Sequence, residues 1–258
     1  MDEGYKNVGG KGKRGQESVI YYKYSPTQLE QEANKLNKEF DSDRLVKPKP
    51  IDVYDVVDFI GCTPDWVYLS PDRTYFGMTA YNDGYWWAWP SDHYEKGMLP
   101  TKIPVYAGTI LIDRTISEGD NRGLENFTVI HECFHQRLHK KCFNNRAANY
   151  QHFCEKKSFR AETGNRKNMT AIEIIEYQAN YCTAAFLMPR EAVQSSFIKK
   201  AGLKALPNNP MVLNYKVDEI ISDMAELFSV NYTPMKYRLQ TLNLISRETC
   251  PADEYFCS

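Results

Sequence analysis

The stretch GLENFTVIHECFHQRLHKK, residues 123–141, decides how this chain is read. Leu124, Phe127, Ile130, Phe134 and Leu138 recur at helical spacing, so the segment from Gly123 to Lys141 is expected to form one helix with an apolar face. Within it His131 and His135 lie four residues apart, on the same face and one turn from each other. Both imidazoles can then reach one metal ion at about 2.0 to 2.1 Å. Glu132 is turned about 100° around the axis from His131, which suits it to a water molecule beside the ion rather than to the ion itself. That is the position of a general base in metal-assisted hydrolysis. With five histidines in 258 residues, a chance match to this pattern is expected on the order of 0.01 times per chain.

Other polar residues of the segment read differently. His139 lies about 12 Å along the axis from His131, too far for a third tetrahedral ligand, so a packing or supporting role is expected. The longer motif that supplies a third histidine six residues after the second is absent, because that position is Lys141. Cys133 projects about 200° from His131 and reads as a small packing residue.

A third protein ligand must therefore come from another element, since a catalytic zinc keeps three protein ligands and one open position. Thr170 begins a further helix with Glu173 three residues on, the pattern of a capping box. Glu173 and Glu176 are rival carboxylates in this helix. The cap occupies Glu173, which leaves Glu176 for the metal, with the small Ala179 one turn further on. Pro189 is expected to end the helix.

Around these two helices the chain reads as α+β. Ser25-Pro26-Thr27-Gln28 combines an N-cap, a proline at the first helical position and a capping-box glutamine, ahead of Leu29, Ala33, Leu36 and Phe40. Val53, Val56, Val57 and Ile60 form a second periodic segment that stops at Gly61. From Cys62 to Asp113, aromatic and β-branched runs alternate with Pro, Gly, Asn and Asp turns, and a small, mostly antiparallel sheet is expected. Trp86, Trp87 and Trp89 are read as core or as cover for a sheet face. Ile220, Ile221, Met224, Leu227 and Phe228, then Met235, Leu239, Leu242 and Ile245, make two helices joined at Asn231 to Pro234. The expected organisation is a disordered tail over 1–17, a peptidase-like domain over 18–200 and a helical, helix-turn-helix-like extension over 201–258.

Composition narrows the classes. Hydrophobic residues make up 42% and charged residues 25%, as in ordinary globular proteins, and the net charge of -1 gives no bulk attraction to nucleic acid or membrane. No apolar run approaches a membrane span or a signal sequence, so a cytoplasmic location is expected. The seven cysteines lack CxxC spacing and are read as reduced thiols.

Three blocks, VIHECFHQRLHKK (129–141), IEYQANYCTAAFLMP (175–189) and DMAELFSVNYTPMKYRLQTL (223–242), resemble the ImmA/IrrE-type metallo-endopeptidases of bacteria and their mobile elements. The resemblance covers roughly residues 25 to 245. Glu-x-x-Ala-Asn followed by Leu-Met-Pro is its most specific part, as the family's signature for a glutamate zinc ligand. It implies a zincin-like fold, Zn2+ held by His131, His135 and Glu176, and Glu132 as the catalytic residue. It also implies a protein substrate of the helix-turn-helix repressor type, controlling phage, mobile-element or stress-response genes. The chain departs from some members in having no recognisable repressor-like DNA-binding domain ahead of the peptidase. The alternative from another class is a catalytically silent protein of the same fold that binds a repressor or DNA; the intact set of His131, Glu132, His135 and Glu176 speaks against it.

Three weaker patterns complete the reading. The C-terminal helix pair looks like a helix-turn-helix, but few basic residues lie on its second helix, so packing is expected rather than DNA binding. His139, Cys142, His152 and Cys154 could form a second metal site, although their spacing is irregular. Between Lys140 and Met169 eight basic residues stand against two acidic ones. A solvated connector is the plainer account of this segment, and attraction of an acidic stretch of substrate the sharper one.

Overall fold

The computed structural model describes residues 21–143, the backbone of 151–155, and 169–249. In chain order the helices are α1 (Pro26–Phe40), α2 (Val53–Phe59), α3 (Arg114–Ser117), α4 (Arg122–Phe134), α5 (Lys140–Phe143), α6 (Ala171–Leu187), α7 (Arg190–Lys200), α8 (Tyr215–Leu227) and α9 (Tyr232–Thr241). The strands are β1 (Thr63–Val67), β2 (Tyr75–Ala80), β3 (Gly84–Ala88), β4 (Thr101–Val105), β5 (Thr109–Asp113), β6 (Gln151–Glu155), β7 (Met211–Leu213) and β8 (Ile245–Thr249). The protein is thus α+β with small mixed sheets. No helix among the described residues is long and apolar enough to cross a membrane.

Among the described residues two compact units emerge, each assembled from separated segments: the chain up to Leu29, Val53–Asn121 and Thr128–Cys182 in the first; Glu30–Asp52, Arg122–Phe127 and the chain from Thr183 in the second.

The first unit is built on a four-stranded sheet of order β1-β5-β2-β6. β5 pairs in parallel with β1 and antiparallel with β2, and β2 pairs antiparallel with β6. With a neighbour on each side and both faces covered, β5 is buried throughout. This accounts for its unbroken apolar run, Ile110-Leu111-Ile112. Asp113 at its end is buried too, accepting from the Leu69 N–H at 2.8 Å and, as the N-cap of α3, from the Thr115 N–H at 3.0 Å. Leu69, Met78, Ala80, Val105 and Leu111 form one apolar core, and Tyr81, Phe143 and Ile175 another, in which the Tyr81 and Phe143 rings stack at 4.6 Å.

The single sheet expected over 62–113 is in fact two. Among the described residues β3 and β4 pair as strands only with each other, and the fourth strand of the main sheet, β6, comes from the polar stretch after α5. The pairing is mostly antiparallel, as expected, with β1 parallel to β5 as the exception. A strand's partner is set by how the chain returns, which local composition does not record. Of the tryptophans, Trp86 packs on the first core, while Trp87 is half exposed; together with Trp89, Tyr75 and Tyr94 they line an open groove of about 820 Å³.

The second unit carries α7, α8 and α9 and the two-stranded β7-β8 sheet. Here α7, opened by Pro189 at its N-cap, has no counterpart in the sequence reading. The last helix ends at Thr241, earlier than expected, with Asn243 in the left-handed region at φ 59°, and Ile245 belongs to β8. The C-terminal segment is therefore not wholly helical. Arg238 of α9 is buried, donating to both carboxylate oxygens of Glu30 on α1 at 2.6 and 3.0 Å and to the Met188 carbonyl at 2.9 Å.

Helix starts follow the sequence closely. Ser25 and Gln28 exchange backbone and side-chain bonds at 2.8 and 3.2 Å, and Gly61, at φ 74°, closes α2 in a Schellman arrangement with the Cys62 N–H on the Val57 carbonyl.

Candidate metal centre

The helix expected as one α-helix over 123–141 is α4, five residues of π-helix (His135–His139) and then α5. Over a single turn the apolar spacing cannot separate an i+4 from an i+5 repeat. Such wide turns occur mostly within longer helices and often at functional sites. Here the wide turn begins at the second histidine of the motif.

His131, His135 and Glu176 come together, all three buried, with one ligand atom from each lying within 4.8 Å of the other two. His131 Nε2 lies 3.4 Å from Glu176 Oε2, and His135 Nε2 lies 3.2 Å from Glu176 Oε1. Two ligands at 2.0 to 2.1 Å from a tetrahedral ion stand about 3.3 to 3.4 Å apart, so both histidine–glutamate spacings match the edge of such a polyhedron. The two Nε2 atoms approach to 2.8 Å, which is a hydrogen bond. They must open by about half an ångström to share an ion. Two imidazoles and one carboxylate, stripped of water and converging, form a donor set that fits zinc. The group can hold a metal.

Glu173 sits elsewhere. Its Oε2 accepts from the Thr170 N–H at 2.7 Å while its own N–H donates to Thr170 Oγ1 at 3.3 Å, which is the capping box.

Glu132 is wholly buried and is gripped from β2. Thr79 Oγ1 donates to its Oε2 at 2.6 Å. Gly77, two residues earlier on the same strand, leaves room for the carboxylate: a Cβ there would stand 2.5 Å from Oε1 and 2.9 Å from Cγ. The register of β2 against β6 slips between Tyr75 and Gly77. Among the described residues, Oε1 has no hydrogen-bond partner. Burial pushes the Glu132 carboxyl up to about 7, helped by the Glu176 charge and opposed by His131 and by the Thr79 hydrogen bond. Cys133 is buried, and burial holds its thiol well above the usual range, in keeping with a packing residue.

His139 is buried against the site and is not one of the three converging groups. Its Nδ1 lies 2.9 Å from His135 Nδ1, and its Nε2 lies 3.0 Å from Gln178 Oε1. The sequence reading of His139 as packing or support allowed for this contact without supplying the partner. It gave Gln178, Thr79 and Gly77 no role. Gly77, a glycine inside a strand, is a signal of close approach that could have been read. The second metal group of His139, Cys142, His152 and Cys154 cannot be assembled from the described side chains, because those of His152 and Cys154 lie outside them, as does most of the basic segment between Lys140 and Met169. Among the described residues, Cys62, Cys133, Cys142 and Cys182 are not joined in disulfides.

No protein-family model matches the chain, and no curated protein matches it in sequence.

Proposed function

We propose that the protein is a zinc-dependent endopeptidase of zincin-like architecture, similar to the ImmA/IrrE-type enzymes, with a repressor-type transcription regulator as its substrate. The observation that supports this most directly is the buried convergence of His131, His135 and Glu176 beside a carboxylate, Glu132, that belongs to the same motif and is not one of the ligands. A zinc ion in that group would polarise a scissile carbonyl and acidify water.

The protein's own part centres on Glu132. Thr79 holds Oε2, so Oε1 is the atom left to take a proton from the attacking water. The same oxygen then hands the proton to the leaving amine. Burial raises the Glu132 carboxyl above the usual carboxylate range, which favours its holding the proton between the two transfers. Burial excludes bulk water from the exchange.

The test is metal analysis and a cleavage assay on the wild type and Glu132→Gln. Both forms are expected to carry one zinc per chain, with cleavage lost in the variant. Loss of zinc from Glu132→Gln would make Glu132 a ligand. Zinc without cleavage of any repressor-type protein by the wild type would favour the catalytically silent alternative.

A further inference from the structure

Resting on the reading of His131, His135 and Glu176 as a metal group, we infer that Gln178 and His139 are positioning residues that fix the tautomer of His135, so that its Nε2 is unprotonated before any ion arrives. The argument starts from a backbone group whose polarity is fixed. The Tyr22 carbonyl can only accept, and Gln178 Nε2 donates to it at 2.7 Å. This sets which way the Gln178 amide faces, since its NH2 is committed to Tyr22 and its Oε1 is turned to His139. An amide oxygen only accepts, so His139 Nε2, 3.0 Å away, carries the proton.

In the neutral imidazole the other nitrogen is then an acceptor. His139 Nδ1 is 2.9 Å from His135 Nδ1, and the single proton in that contact must come from His135. With its proton on Nδ1, neutral His135 has an unprotonated Nε2, which accepts from His131 Nε2 at 2.8 Å until an ion takes its place and lies 3.2 Å from Glu176 Oε1. Four residues thus pass one choice of polarity from a main-chain carbonyl to a metal-ligand atom. The opposite tautomer would aim an N–H where a ligand lone pair is required.

The wide turn over His135–His139 belongs to the same device. Together with the burial of all three side chains, it sets the two imidazoles with ring centres 5.1 Å apart. Supporting groups of this kind orient ligand histidines in metal sites generally; what is particular here is that the immediate partner is a second histidine, whose own tautomer needs fixing, and that Gln178 on α6 does so.

The experiment uses the full chain with isotope-labelled histidine, stripped of metal. Long-range nitrogen–proton correlation spectra are expected to show His135 protonated on Nδ1 and His139 on Nε2. In Gln178→Leu the His135 pattern should become mixed, and zinc affinity, measured by competition with a chromophoric chelator, should fall about 10- to 100-fold. His135 protonated on Nε2 in the wild type, or His139 protonated on both nitrogens, overturns the inference and leaves the metal reading standing if the wild type binds zinc. The expected tautomers with unchanged zinc affinity in Gln178→Leu also overturn it. A wild type that takes up no zinc sinks the metal reading itself, and this inference with it. If Gln178→Leu does not fold, the wild-type spectra alone decide.

Discussion

Two glutamates three residues apart on α6 have different tasks because one has a backbone partner and the other has two imidazoles. Glu173 exchanges hydrogen bonds with Thr170 at the helix start, whereas Glu176 reaches His131 and His135. Glu176→Ala is therefore expected to abolish tight zinc binding, while Glu173→Ala should leave zinc content unchanged and lower stability by about 0.5 to 2 kcal/mol, the usual value of a helix cap. Metal analysis and denaturant unfolding of the two variants separate the roles; an empty site in Glu173→Ala would reverse the assignment. Gly77 allows a second prediction at this scale. A methyl group there would meet Oε1, Cγ and Cδ of Glu132, so rotation at the far end of the side chain cannot relieve the clash. Gly77→Ala should displace the carboxylate by about an ångström and slow cleavage on the order of 100-fold. Zinc stoichiometry should not change, and wild-type turnover in that variant would show that the Glu132 position is not critical.

At the scale of elements, α9 shows why its helical pattern is a poor guide to DNA binding. Of its two basic residues, Lys236 and Arg238, the arginine is turned inward onto Glu30 of α1, and Met235 and Leu239 are buried beside it. Removing one partner of such a pair leaves a buried charge, so Arg238→Ala should cost about 3 to 5 kcal/mol. Arg190, whose guanidinium lies 3.7 Å from Glu30, holds the loss towards the lower end. The double variant Glu30→Leu with Arg238→Met should recover most of the stability, because a buried pair exchanged for apolar groups of similar size is close to neutral. A double-mutant cycle read by urea unfolding checks this; additive losses would mean the two side chains do not act as a pair.

For the whole molecule, a metal that binds only the folded chain must raise its stability. At a free zinc concentration 100 times the Kd the gain is about 2.7 kcal/mol. For a chain of this length that corresponds to a rise in Tm of roughly 5 to 10 °C. Calorimetry should show this rise in the wild type and in Glu132→Gln, its reversal by a chelator, and its absence in Glu176→Ala. An equal rise in Glu176→Ala would place the ion somewhere other than the three converging groups.

How much of this was legible beforehand depends on the range of the interaction concerned. His131, Glu132 and His135 could be placed from spacing, because an α-helix fixes the relation between residues four apart, and Glu173 from its cap, because a capping box spans three residues. The helix starts at Ser25 and Thr170 and the stop at Gly61 were likewise local. Sequence therefore determined the motif, its helix and the α+β class. Tertiary structure decided what brings Glu176 within 3.4 Å of His131, and why Gly77 and Thr79, more than fifty residues before Glu132, hold that carboxylate. It also decided that β1 runs parallel to β5, and that Tyr22 and Gln178, 156 residues apart, share a hydrogen bond next to His139. Hydrogen-bond direction and close packing between distant segments leave no periodic trace in composition, and only the folded chain puts those atoms within reach of each other.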